Sequence, residues 1–334
     1  MKQLLILLLV FLLPIFGLTQ SAEKKEINQK SVSKYSIKMD ENTKERVQLE
    51  HKKTDTERQY TLQMQFDLHY TNYLNSDAKN KDFYSLIQAY NLAPYNSELY
   101  FEMAKYYELK QDEIKKKEFC AKLKISKLSP SLREYAYNTL MSVSQNGILV
   151  TYGEDDTYPI WVLQTIENIR TDVKILNYDL MISEEYREIK KNELGLNFSK
   201  SYSSNINILK DVAIKNRTKN IYYSLTVSHL VLKQLKSNLY PTGLALKYSK
   251  NEIDNSQLLI SNWESKFQKQ YISNSTINNK DKQININYIL PLFQISNYYK
   301  ENNNESKYNE TLALIRKIGV NGGKQKQIGI LLKE

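Results

Sequence analysis

The chain opens on Met1-Lys2-Gln3 and then runs apolar without a break from Leu4 to Phe16. One lysine precedes the run and no charge lies inside it. It is shorter than the roughly 20 residues a helix needs to cross a bilayer. Pro14 and Gly17 stand near its end, and Gly17-Leu18-Thr19 offers a small-x-small cleavage site. Residues 1–19 therefore predict a secretory signal peptide, with Gln20 as the new N-terminus and no stable transmembrane span after cleavage. Residues 20–55 are polar and charged, with few apolar anchors, and predict a linker or a solvated first helix.

From Thr56 the pattern turns helical. Tyr60, Met64, Phe66, Leu68, Tyr70 and Tyr73 crowd one segment. After a turn at Asn75-Ser76-Asp77, a second helix over 83–92 stops before Pro94. Further helices are expected over 112–125 and 130–144, the latter opening on Ser129 as its cap. Ala89 and Ala104 are small enough for helices to approach closely, and Tyr100 and Tyr107 can fill the groove between them. This stretch resembles tetratricopeptide repeats, in which helix pairs recur at a scale of about 34 residues.

At Gly147 the period switches. Ile148–Tyr152, Val173–Tyr178, Asn220–Val227 and Leu244–Tyr248 read as strands. Helical patterns separate the first three, at Thr157–Ile169 and around Ile206, Leu209, Val212 and Ala213. Such alternation predicts right-handed crossovers and a parallel sheet covered by helices. The tail returns to helices, including a pair over 284–299 and 306–318. The expected fold is α/β plus all-α: a small Rossmann-like parallel-sheet domain (147–250) flanked by tetratricopeptide-like helical hairpins (56–146) and a helical C-terminal region (251–334).

Composition narrows the function. The net charge of +10 comes from scattered lysines, often beside Glu or Asp, rather than from one basic face. Nucleic-acid binding is not expected from that pattern. Cys120 is the only cysteine, so no disulfide forms within the chain; its spacing with Phe119 and Leu123 makes it a small buried residue. His51, His69 and His229 stand far apart and show no metal-ligand spacing. No cofactor motif is present: the nine glycines build no phosphate loop, and there is no G-x-S-x-G.

One segment carries candidate chemistry. Gly153-Glu154-Asp155-Asp156-Thr157-Tyr158-Pro159 follows the first expected strand, where open α/β sheets place ligands. Three successive carboxylates can hold a divalent cation or accept sugar hydroxyls. The same residues can equally cap a helix, with Pro159 in its first turn. Trp161 shares a stripe with Tyr158 and Thr165 and is expected either to pack between sheet and helices or to stack on a sugar. His229 follows the third strand and can either face Asp156, if the strands are parallel, or serve as a cap at the strand end.

From Ile148 to Tyr178 the chain resembles the soluble C-terminal region of large multi-pass envelope proteins, the protein O-mannosyltransferase-like glycosyltransferases. The resemblance is carried by Gly153, Asp156, Thr157, Tyr158 and Pro159, by Trp161, Leu163 and Gln164, and by Arg170-Thr171-Asp172-Val173. Asn220–Tyr223 and Gly243–Ala245 add weaker matches. Glu154 and Asp155 replace what is usually an Asp-Asn pair. The multi-pass part, where transfer activity is expected, has no counterpart here, so the resemblance implies fold and compartment rather than catalysis. The expected function is an exported, periplasmic or outer-membrane-associated scaffold, non-enzymatic, with envelope proteins or glycan as partners. The alternative is a carbohydrate-related accessory that binds a glycan or divalent ion through Glu154, Asp155, Asp156, Thr157, Trp161 and His229.

Overall fold

The computed structural model describes residues 42–332 except Ser203 and Ser228, without the side chains of residues 42–51, Lys53, His229 and Val231. The signal peptide read at 1–19 lies outside the described residues. The described residues divide into two compact units, meeting between Asn96 and Ser97.

In the first unit, α1 (Asn42–Asn75) packs on α2 (Phe83–Leu92). Tyr73 is buried at the end of α1, its ring 5.9 Å from that of Phe83. The Lys81 ammonium donates to the carbonyl of Tyr73 at 3.2 Å, placing a cation at the negative end of α1. Asp82 caps α2 by accepting from the Ser85 N–H, and Pro94 prevents the helix from continuing.

The second unit begins with a single 3₁₀ turn, Ser97–Leu99, and then α3 (Tyr100–Leu109) and α4 (Glu113–Ser126), which pack on each other. Asp112 caps α4 through the Lys115 N–H. Ser129 caps α5 (Pro130–Met141) through the Leu132 N–H, with Pro130 in its first turn. β1 (Ile148–Thr151) follows and is buried along its whole length. α6 (Glu154–Thr165) then packs against α4 and α5. After it come β2 (Lys174–Asn177), the one-turn α7 (Tyr178–Met181), α8 (Glu184–Leu194) and α9 (Asn205–Lys215). β3 (Ile221–Ser224), α10 (His229–Leu235), β4 (Leu239–Pro241) and β5 (Ala245–Tyr248) complete the sheet region.

The sheet runs β2-β1-β3-β5-β4. β1 pairs in parallel with β2 and β3, but β5 is antiparallel to β3, and β4 is antiparallel to β5. The architecture is therefore mainly helical with one small mixed sheet, and the expected all-parallel sheet is corrected. Only Thr242, Gly243 and Leu244 join β4 to β5. A parallel connection needs a crossover of a dozen or more residues, so this link can only form a hairpin. β4 itself was not expected from the sequence. It has three residues and contains Pro241, which is tolerated at a sheet edge.

A second correction concerns α6. The sequence predicts its start at Thr157, whereas it begins at Glu154. Glu154, Asp155 and Asp156 form its first turn rather than a loop before it. Pro159 sits inside the helix instead of in that turn.

The C-terminal region contributes α11 (Ser256–Ser261), α12 (Asn279–Asn285), α13 (Ile289–Glu301), α14 (Glu305–Asn321) and α15 (Gln325–Leu332). α13 and α14 pack side by side. Polar ties fasten this region to α5. The Glu134 carboxylate accepts from the N–H groups of Gln270 and Tyr271 at 2.8 and 2.9 Å, and the Asn138 amide donates to the Tyr288 hydroxyl at 2.8 Å. Among the described residues no helix is long and apolar enough to cross a membrane.

Candidate functional site

Gly153 turns the chain from β1 into α6 with φ 77° and ψ −178°, a conformation open almost only to glycine. The turn delivers three carboxylates to the helix N-terminus, where the macrodipole favours them. Their partners lie in three different directions. Glu154 accepts from the Lys127 ammonium at 2.8 Å, and that lysine also pairs with Glu98 at 3.2 Å. Asp155 pairs with Lys280 of α12 at 2.7 Å.

Asp156 turns inward and is 3% exposed. One of its oxygens accepts from the Ser224 hydroxyl at 2.7 Å, the other from the Tyr152 N–H at 2.9 Å. Ser224 is also 2.9 Å from the Thr226 hydroxyl. This carboxylate thus joins the ends of β1 and β3 to the first turn of α6. Burial pushes its pKa up to about 6, against the hydrogen bonds from Thr226, Ser224 and Tyr152, which hold it down; the neighbouring Asp155 raises it further.

Thr157 is fully buried and completes a second tie. Its hydroxyl donates to that of Thr151 at 2.9 Å and accepts from the Asn177 amide at 3.0 Å. Asn177 in turn caps α7 through the Leu180 N–H. So Thr157 links α6 to β1 and β2. The Tyr158 hydroxyl donates to the Lys127 carbonyl at 3.0 Å. Each polar side chain from Glu154 to Tyr158 has a partner within the protein.

Trp161 is 2% exposed. Its ring lies 6.0 Å from that of Phe101 in α3, and the Lys116 ammonium of α4 sits 4.9 Å from its centroid. It packs between α6 and the preceding helices, as one of the two sequence expectations had it, and it also borders a cleft between α6 and α4. The His229 side chain lies outside the described residues. Among the described residues no group of three His, Cys, Asp or Glu side chains could hold a metal ion. Cys120 is fully buried, and burial pushes its thiol up to about 11, which keeps it protonated and inert.

Sequence reasoning missed a second cluster. Glu108, Lys116 and Lys190 are all at least nine-tenths buried. Glu108 accepts from Lys116 on one oxygen and from Lys190 on the other at 2.9 Å, with the Tyr186 hydroxyl 3.3 Å away. Burial pushes the Glu108 carboxyl up, but the two ammonium groups outweigh it and bring it down to about 2. The sequence carries a signal for this cluster. Lys116 shares a helical stripe with Phe119, Cys120 and Leu123, and Lys190 follows Tyr186 by four residues. A charge on an apolar stripe calls for a buried counter-charge.

Residues 132–194 match the family TMEM260-associated domain 2. TMEM260 is an O-mannosyltransferase-like protein. The matched stretch runs from α5 through β1, α6 and β2 to α8, and includes the Ile148–Tyr178 segment on which the sequence resemblance rested. It covers a minor part of the chain. No curated protein and no solved structure matches the chain.

Proposed function

We propose that this chain is an exported, non-enzymatic cell-envelope protein that works as an interaction module. In this reading the sheet and its covering helices form a Rossmann-like core, and the paired helices are tetratricopeptide-like arms. Periplasmic or outer-membrane-associated placement follows from the apolar N-terminal run.

One observation carries the reading. On α1, several apolar side chains lie exposed on the side away from Phe66, Tyr70 and Tyr73. Tyr60, Met64 and Leu68 follow one another at i, i+4 and i+8 and are 68, 57 and 60% exposed. Leu74 falls on the same side and is 45% exposed. Phe66, Tyr70 and Tyr73 occupy the other side and are half-buried or buried. Exposed apolar side chains grouped on one side of a helix mark a protein-contact surface more often than chance exposure of single residues does. Tyrosine and methionine suit such a surface, since one keeps a polar tip and the other adapts its shape.

The alternative, a carbohydrate-related accessory, has the TMEM260-associated match behind it. The acidic turn does not support it, because Glu154, Asp155 and Asp156 are each engaged internally.

The test is affinity purification of the full chain from detergent-solubilised envelopes at native expression. A discrete co-purifying species is expected, and it should disappear when Tyr60, Met64 and Leu68 are replaced together by Ser with the melting curve unchanged. Recovery of the wild-type chain alone, as a monomer, overturns the reading.

A further inference from the structure

A cleft of about 390 Å³ opens in the second unit beside the buried Glu108 cluster, on the side of α6 away from the acidic turn. Glu108, Lys116, Lys190 and Trp161 are buried side chains that line it. Among the buried groups, two ammonium ions share one carboxylate, one positive charge more than that carboxylate balances. The groups that offset it belong to the rim. Glu113 stands 3.6 Å from Lys116, too far for a hydrogen bond, and its side chain is 69% exposed. Glu193 reaches Lys190 at 2.7 Å, with its side chain 45% exposed. Both are long, solvated side chains on helix surfaces, and holding them in place costs side-chain entropy.

The rim adds more positive charge. Lys117 and Lys174 line the cleft, are exposed, and have no ion-pair partner among the described residues. In all, four lysines and three glutamates line the cleft. Asn168 and Thr171 bring an amide and a hydroxyl to the same rim. The Asn168 backbone is left-handed, with φ 54°, an uncommon conformation for a residue with a side chain. Its loop is held by the Ile169 N–H donating to the Leu163 carbonyl at 2.9 Å. The Gln164 amide also donates to the carbonyls of Arg170 and Val173 at 2.9 and 2.8 Å.

We propose that this cleft binds a small hydroxylated molecule bearing an oxyanion, carboxylate or phosphoryl. The oxyanion sits on Lys116 and Lys190 in place of the rim carboxylates, and Lys117, Lys174, Asn168 and Thr171 hold the rest. The volume suits a ligand of one or two sugar rings. Glu113 and Glu193 stand where the ligand's acid would be, and they swing out to solvent when it enters. The inference rests on the cleft alone and is independent of the stripe on α1.

Isothermal titration of the full chain at low ionic strength tests it, with glucuronate as the carboxylate probe, glucose 1-phosphate as the phosphoryl probe and glucose as the neutral control. Heat is expected with at least one anionic probe and none with glucose, and binding should weaken as salt rises. Whichever anion binds more tightly identifies the group. Lys117→Gln with Lys174→Gln should weaken that binding roughly tenfold or more without moving the melting curve, since both side chains are exposed. Glu113→Gln with Glu193→Gln should tighten it by removing the competing carboxylates. No heat from either anion at about 10 mM, or equal binding by the lysine variant, overturns the proposal.

Discussion

Asp156 shows how one side chain can set a pH dependence for the second unit. Its carboxyl is buried beside Ser224 and the Tyr152 N–H, with Asp155 as its neighbour in sequence and Tyr135 of α5 as the nearby phenol. In the folded protein it takes up its proton near pH 6; in an unfolded chain it does so near pH 3.9. Between those values the folded state binds more protons. The Asp156 contribution to stability is therefore fully present below about pH 4 and is lost as pH rises through about 6, with a size on the order of 3 kcal/mol. Asp156→Asn removes the titration. Its stability relative to wild type should rise by that amount between pH 4 and 7 in thermal melts, and parallel curves would defeat this account. Trp161 gives a simpler prediction. Its burial against Phe101 and beneath Lys116 means that Trp161→Ala should destabilise the protein by roughly 3–5 kcal/mol. An unchanged melting midpoint would contradict the packing.

At the scale of elements, the join between β1 and α6 depends on backbone freedom. Gly153 adopts a conformation that a side chain strains, yet a Cβ there would meet no atom within 4 Å. Gly153→Ala should therefore destabilise through the backbone alone, by about 1–3 kcal/mol in urea denaturation. Gly329 is the control, because it lies inside α15 with open space around its Cβ. Gly329→Ala should stabilise by up to about 1 kcal/mol, through helix propensity. Equal effects from the two substitutions would count against a special role for the turn. Much of this level was legible in the sequence. The helix over 83–92 and the cap at Ser129 follow from local chemistry, through Pro94 and through a serine preceding Pro130. The start of α6 was misplaced because an acidic run before a helix reads equally as a loop or as a first turn. The helix dipole favours these carboxylates in the first turn, and the hydrogen bonds of Asp156 to Ser224 and to the Tyr152 N–H hold that turn against the ends of β3 and β1.

For the whole molecule, the division between Asn96 and Ser97 is the testable feature. Both tryptophans, Trp161 and Trp263, lie in the second unit, so tryptophan fluorescence follows that unit's unfolding without contribution from the first. A chain beginning at Ser97 should melt by fluorescence at the same temperature as the full chain. A difference beyond about 5 °C, equivalent to roughly 2 kcal/mol in a unit of this size, would show that the first unit supports the second.

What the sequence determined by itself was the local and periodic part: the apolar N-terminal run, the helices marked by caps and prolines, and the strands β1, β2, β3 and β5. These depend on residues within a few positions of one another. Tertiary structure alone decided the rest. The three-residue link makes β4 and β5 a hairpin, and β5 enters the sheet between β4 and β3, antiparallel to both; β4 is too short to show a period. The three carboxylates of α6 look like one site in sequence because they are consecutive. A helix turns about 100° per residue, and that rotation sends Glu154 to Lys127, Asp155 to Lys280 and Asp156 into the core. Conversely, Glu108, Lys116 and Lys190 are scattered over 83 positions and become one cluster only when α3, α4 and α8 come together around the buried carboxylate.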